Sequence, residues 1–278
     1  MGRLSSKLSF SMDFGAGQGA VVASFQGGKS VIERARAESP LRLLLPKAMG
    51  ATAAWVCVTS FGGGLVRGDE LTLDVDVKPD ATLLMTTQAS TKAFRGGTKQ
   101  MVRARVEGTL VALPDPVACF AGATYESEIA VTLGATGTIV LVDSFTSGRP
   151  AYGERWAFEQ LSTRIRIERL RSDGGREPVA LDATLLDARH GSIAARFGNL
   201  DAYATLMAIG PAAGRVMASL LEPSRDGVVL YAPSRLTRAD GAVARVAGGS
   251  SEDVLREVRR RLRHIVELCG VDPYASRH

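Results

Sequence analysis

The sequence predicts a mainly β protein: stacked β-sheets in a solenoid-like or sandwich-like single domain over residues 1–278, with about two helices near the C-terminus. Three features point that way. From residue 8 to about 185, short segments alternate apolar and polar side chains with a period of two, the mark of a strand with one buried face. Turns rich in Gly, Pro and Asp separate these segments at short, regular intervals. Helical periodicity is confined to the last third of the chain.

The strands follow in order. SFSMDF (9–14), AVVASF (20–25), SVIERA (30–35), RLLLP (42–46) and AAWVCVTSF (53–61) come first. ELTLDVDV (70–77), TLLMTTQAS (82–90), MVRARVEG (101–108) and TLVALP (109–114) follow. Then come YESEIAVTL (125–133), TIVLVDSF (138–145), ERWAFEQLSTRIRIERL (154–170) and VALDATLL (179–186). The pattern is cleanest in ELTLDVDV, where Leu71, Leu73, Val75 and Val77 share one face. Likewise Ile165 and Ile167 oppose Arg164, Arg166 and Glu168. AYATLMAI (202–209), VVLYAPSRL (228–236) and GAVARVAG (241–248) read as further strands, with a short helix between Pro211 and Pro223. A helix is expected over about 251–269. Ser250 and Asp253 resemble a capping box, Gly270 suits the C-terminal cap, and Val254, Val258, Leu262, Ile265, Val266 and Cys269 form an apolar stripe. No linker divides the chain, and no fixed-period repeat stands out.

Composition narrows the functional class. The chain is 45% apolar and 23% charged, ordinary for a soluble globular protein, with a mild net charge of +5. No zinc-finger spacing or aromatic-interleaved basic motif accompanies that charge, so nucleic acid is not an expected partner. Cys57, Cys119 and Cys269 are far apart and odd in number, which fits neither a disulfide framework nor a zinc site and suits a reducing compartment. No apolar run is long enough to span a membrane. The cytoplasm is the expected location.

The motifs that invite an enzymatic reading are weak. ASFQGGKS (23–30) fits a relaxed phosphate loop through Gly28, Lys29 and Ser30, and TIVLVD offers Asp143 as the acid that would help hold Mg²⁺. This P-loop nucleotide hydrolase is the alternative reading. Against it, the residues between are β-rich, whereas that fold needs βαβ crossovers. GAGQGA (15–20) nearly fits a dinucleotide fingerprint but leads into a strand. Of three histidines, His264 lies in the basic helix and His278 ends the chain, leaving His190 as a lone candidate base. No nucleophile, base and orienting group assemble around it. The carboxylates Asp69, Asp115, Glu126, Asp143 and Glu154 sit at strand ends or beside turns, where capping and solvation compete with any functional role.

Four separated blocks carry a family likeness. GGGLVRGDELTLDVDVKPDATLLMTTQASTKAFRG (62–96), LPDPVACFAGATY (113–125), SGRPAYGERWAF (147–158) and the final VARVAG-plus-helix resemble the urease accessory protein D/H family (UreD/UreH). The likeness runs in order over about residues 20–265. It implies a mostly β fold and a non-enzymatic role. It implies binding to apo-urease and to two partners, a helical accessory protein F and a GTPase, accessory protein G. Nickel then passes to the urease active site, so the chain would hold no tightly bound cofactor, only transient Ni²⁺. The resemblance also assigns the phosphate loop to the partner GTPase, and implies an internal wet route for the metal.

No His or Cys cluster is present to grip nickel, and scattered oxygen ligands hold it weakly, as a conduit requires. By matching motif positions, Asp69 in the GD turn and Glu154 in the GE block are the first candidates for such a route, followed by Asp115 and Asp143. Thr86, Thr87, Gln88, Ser90 and Thr91 are candidates for its polar lining, or equally for a polar sheet face. In the C-terminal helix Arg256, Arg259, Arg260 and Arg263 are candidates for docking an acidic partner, set against the commoner solvated helix face.

Overall fold

A chain of half-apolar strands must turn every apolar face toward a common interior. The computed structural model, which describes residues 14–46, 50–224 and 227–275, does this by coiling. β1 (Gln18–Gln26) and β2 (Lys29–Ala37) make an opening hairpin, and β3 (Leu41–Leu44) pairs antiparallel with β4 (Ala54–Ser60). The chain then alternates between two sheets through β5 (Glu70–Val77) and β6 (Thr82–Thr87). After a short β7 (Thr91–Ala93) come β8 (Gly96–Val106) and β9 (Thr109–Leu113). After a short β10 (Val117–Cys119) come β11 (Ala123–Leu133) and β12 (Thr138–Thr146). A two-stranded ribbon, β13 (Gly148–Arg149) with β14 (Glu154–Arg155), leads into β15 (Gln160–Leu170) and β16 (Arg176–Asp187). The remainder is α1 (Ile193–Phe197), β17 (Ala202–Ile209), α2 (Gly214–Leu221), β18 (Val229–Arg235), β19 (Gly241–Gly248), α3 (Ser251–Arg261) and α4 (Ile265–Cys269).

The seven-stranded sheet runs β16-β15-β11-β8-β5-β1-β2, and the larger sheet runs β18-β19-β17-β12-β9-β6-β4-β3 with β10 and β7 attached at β12. Within the coil, β5, β8, β11 and β15 are parallel, and so are β4, β6, β9 and β12. Antiparallel neighbours end each sheet. Pro233 in the outermost β18 fits an edge strand, where no ladder hydrogen bond is needed from it.

The two ends of the coil differ. Tight corners join the seven-stranded sheet to the larger one at 77–82, 106–109 and 133–138, and they nest directly on one another. Thr109 N–H donates to the Ala81 carbonyl, and Thr138 N–H to that of Gly108. A Cβ at Gly108 would lie 2.2 Å from the Ala81 carbonyl oxygen, and one at Gly137 would lie 2.2 Å from that of Val106. Only glycine permits this stacking. At the opposite end the return segments are long, and they include parts of three of the four blocks that resemble a known family.

Two apolar layers result. Leu73, Val75, Leu83, Leu110, Ile139 and Ile165 belong to the layer between the sheets. Leu84, Val140, Leu206, Val258 and Leu262 belong to a second layer, where the helices cover the outside of the larger sheet. Arg261 sits fully buried in this second region. It pairs with Glu257 at 2.7 Å and donates to the carbonyls of Ser219, Glu222 and Pro223, with its guanidinium over the Tyr231 ring. One side chain therefore ties α3 to the end of α2 and to β18.

Several expectations change. The helix expected over 251–269 is two helices, α3 and α4, broken at Leu262–His264. Arg263 donates to the Arg260 carbonyl at the break, and the bend turns Ile265 and Cys269 inward while leaving Val266 exposed. Ser250 and Gly270 do cap the two ends. The phosphate-loop alternative is overturned. Gly27 and Gly28, at φ +57° and +81°, form the turn of the β1–β2 hairpin; Lys29 and Ser30 begin a strand, with Ser30 Oγ accepting the Thr82 N–H. No helix follows to receive a phosphate, and Asp143 lies on β12 in the other sheet. The strand expected over 9–14 and the terminal His278 lie, apart from Phe14, outside the described residues.

Two substitutions test this architecture by urea unfolding. Gly137→Ala should lose about 1–3 kcal/mol through the clash at the nested corner. Arg261→Ala, which leaves Glu257 and three carbonyls short of a donor, should lose about 3–5 kcal/mol.

Candidate functional site

Strand parity decides which polar groups face the interior. At the long-loop end of the coil, inward positions that are apolar elsewhere become polar. Gln100, Ser127 and Thr163 lie side by side across β8, β11 and β15. Asp143, Thr205 and Arg245 lie side by side across β12, β17 and β19. Between the sheets is a cavity of about 110 Å³, large enough for several waters. Its walls are apolar at Leu71, Leu73, Met85, Ile129 and Leu141, and oxygen-rich at Thr87, Asp115, Tyr125, Ser127, Asp143 and Ser144.

The polar wall is well organised. Tyr125 is buried and donates from its hydroxyl to Gln100 Oε1 at 2.6 Å. Burial, with Asp143 nearby, pushes its ionisation upward, so the phenol stays neutral. Thr87 Oγ1 donates to the Asp115 carboxylate at 2.9 Å and accepts the Asp115 N–H at 2.8 Å, which fixes Asp115 at the cavity wall. Asp143 keeps a modest accessible surface and lines the cavity. Burial raises its pKa to about 6, Thr163 opposes that by hydrogen bonding to the carboxylate, and the charge of Asp182 adds to it. Asp182, across from Asp143 on β16, is buried and ion-paired with Arg245, and it accepts from Thr205 at 3.4 Å.

Of the residues expected at a route, the structure brings Asp115, Asp143, Thr86, Thr87 and Thr91 to this cavity. Thr86 is buried and accepts the Trp55 indole N–H at 2.9 Å. Gln88 and Ser90 are exposed in the adjoining loop. Asp69 and Glu154 stand apart from the cavity lining. The Asp69 carboxylate accepts the Val66 N–H at 2.8 Å and closes the glycine-rich turn, in which Gly68 takes φ +91°. Glu154 grips Arg149 at 2.6 and 3.0 Å and accepts the Ala121 N–H, and these bonds hold its pKa below the usual range. Among the described residues, no group of three His, Cys, Asp or Glu is placed to hold a metal ion. His190 is exposed, 3.9 Å from Asp187, whose carboxylate Arg189 pulls down to about 2.

The helical arginines are partly occupied. Arg260 makes two bonds to Glu257, and Arg263 reaches Ser219 and Glu222. Arg256 is exposed but paired with Asp253 at 2.9 Å, while Arg259 is exposed over the Tyr274 ring.

A model of the UreD urease accessory protein family matches residues 16–277. The chain belongs to this family. Among curated relatives, the urease accessory protein UreD of Sorangium cellulosum is 47% identical over 94% of this chain and 84% of its own length. The UreD of Anaeromyxobacter is 38% identical over 94% and 89%. The urease accessory protein D of Arabidopsis thaliana is 30% identical over 92% and 99%. The UreD match spans both sheets and all four helices, so the polar cavity lies wholly within it.

Sequence reasoning missed Gln100, Tyr125, Ser127, Thr163, Asp182, Thr205 and Arg245. Their signal was available. Gln100 and Ser127 occupy the parity of Val102 and Ile129 in their strands, and Thr163 that of Ile165.

Asp143 gives a test with a defined sign. Its folded pKa lies above its ordinary 3.8, so the folded chain holds a proton between about pH 4 and 6 that the unfolded chain has released. The destabilisation is full above that window and absent below it. Asp143→Asn should therefore stabilise the fold at pH 7.5 by roughly 1–3 kcal/mol. The gain should vanish near pH 4, read as the difference between variant and parent urea midpoints.

Proposed function

We propose that this chain serves urease maturation as a non-catalytic scaffold. It binds apo-urease together with the helical accessory protein F and the GTPase accessory protein G, and its polar cavity gives nickel a route toward the urease site. The observation that carries this reading is Asp143, an ionisable carboxylate kept between two sheets at a cost in stability, on the wall of an oxygen-lined cavity. A group so placed is more useful for function than for folding.

The chemistry suits a cargo ion. Carboxylate, hydroxyl and amide oxygens bind divalent nickel weakly compared with imidazole or thiolate, so the ion leaves readily. Asp115 at one part of the wall and Asp143 at another offer successive charges, with Ser127 and Tyr125 between the sheets to support water around the ion. Asp69 and Glu154 serve instead to shape the turns beside this wall. Arg256 and Arg259, the more exposed arginines of α3, join the partner-binding surface. We place the chain in the cytoplasm, consistent with three buried free thiols; no helix among the described residues is long and apolar enough to cross a membrane.

Asp143→Leu tests the route. In cells expressing the urease operon, the variant should still co-purify with apo-urease and the accessory partners. Nickel per urease active site, measured by atomic absorption, should fall several-fold. Normal nickel content would sink the route while leaving the scaffold role standing.

A further inference from the structure

The long-loop end of the coil carries a surface that the proposed route does not explain. Its return segments pack into one continuous cap. Leu65 N–H donates to the Lys92 carbonyl, Phe94 N–H to that of Leu65, and Gly96 N–H to that of Gly122. Phe94 meets Phe120 edge to face at 5.2 Å, and Arg149 lies 4.0 Å over Phe120 and 5.4 Å from the Tyr152 ring. The cap therefore holds its outer side chains on a fixed base.

Two kinds of side chain project from it. Phe61, Val66 and Tyr152 are 53%, 55% and 78% exposed and set large apolar side chains on this end of the coil. Arg67, Lys92 and Arg95 are exposed around them, and none makes an ion pair with a described residue. The Arg67 side chain lies over Gly96 and that of Arg95 over Gly122, so both cations are laid in order along successive coils. The nearby carboxylates make their close contacts elsewhere: Asp69 accepts the Val66 N–H, and Glu154, which also feels the charge of Arg95, pairs with Arg149. Elsewhere the outer face of the seven-stranded sheet pairs its charges, as in Asp74–Arg103, Lys99–Glu126 and Glu128–Arg166. Unpaired cations around exposed aromatics combine the rim and the anchors of a protein interface.

We infer that this end of the molecule is a docking face for a protein surface that presents carboxylates around an apolar centre. Charge complementarity selects that occupant over a second copy of this chain, whose own cap would bring like charges together. The position adds to the case. Gln88 and Ser90, exposed between the cavity-lining Thr87 and Thr91, lie in the segment that leads to Lys92, so a docked partner would sit beside the wet end of the cavity. The inference rests on the maturation reading only for its choice of candidate partners.

The test uses the full chain immobilised, with purified apo-urease and accessory proteins F and G offered one at a time, at low and at moderate salt. At least one should bind the parent chain. For that partner, Arg67→Glu with Arg95→Glu should weaken binding at least about tenfold at low salt, with a smaller loss as salt screens the charges. Phe61→Ala with Tyr152→Ala should weaken it by a similar factor at both salt concentrations. All side chains changed are exposed, and unfolding midpoints equal to the parent's will confirm intact folds. Unchanged affinity for all three partners overturns the docking face. So does a parent chain that self-associates in light scattering and loses that association in these variants. Asp143→Leu separates this inference from the route: it should bind like the parent chain while lowering nickel loading several-fold.

Discussion

The structure depends on keeping one strand face turned inward, coil upon coil. Leu83, Leu110 and Ile139 are in register across three strands of the larger sheet, and Val77 and Val106 pair across the seven-stranded one. Each such side chain, fully buried, contributes roughly 1.5–3 kcal/mol. The same register makes any polar inward residue a liability unless it finds a partner from the opposite sheet or a neighbouring strand. The dry corners and the wet loop end are two outcomes of this single rule. At the corners the inward positions are filled by apolar side chains; at the loop end they are filled by groups that answer one another, Tyr125 with Gln100, Thr87 with Asp115, Asp182 with Arg245.

Much of the fold was legible because the period of two survives in nearly every coil strand. ELTLDVDV and TRIRIER sent their apolar side chains inward as expected, with Leu71, Leu73, Val75, Val77, Ile165 and Ile167 all buried. The coil itself was less legible. Corners such as 77–82 and 106–109 differ in length and share little beyond a following threonine, so a spatial repeat left no fixed sequence period. The break between α3 and α4 was hidden because the apolar stripe continues through it, and Arg263 closes it by a bond that spacing does not reveal. The cavity was half legible. Motif position pointed to Asp69 and Glu154, which local hydrogen bonds hold in turns, while parity would have pointed to Ser127 and Thr163.

Charge density read from sequence also misleads in a consistent direction. The arginine-rich α3 looks strongly basic, yet Arg256, Arg260 and Arg261 are answered by carboxylates of the same helix, and Arg263 by Glu222. Arg67, Lys92 and Arg95 are scattered in sequence and unremarked there, yet they meet on one cap, none in an ion pair with a described residue. Attraction of an acidic partner follows the pairing of charges in space rather than their number along the chain.

The unequal ends of the coil also govern how its lineage can change in length. A corner that seats a glycine against the carbonyl of the previous coil cannot exchange that glycine, so any change of length there must leave the nested contact in place. The return segments also seat glycines against carbonyls, Gly64 against Lys92 and Gly148 against Cys119, but they carry exposed stretches such as 88–90 as well. The match to the Arabidopsis relative runs over 295 positions while covering 92% of this chain, so the two sequences differ in length within the match. The exposed stretches of the returns are where a change in length disturbs the nested corners least.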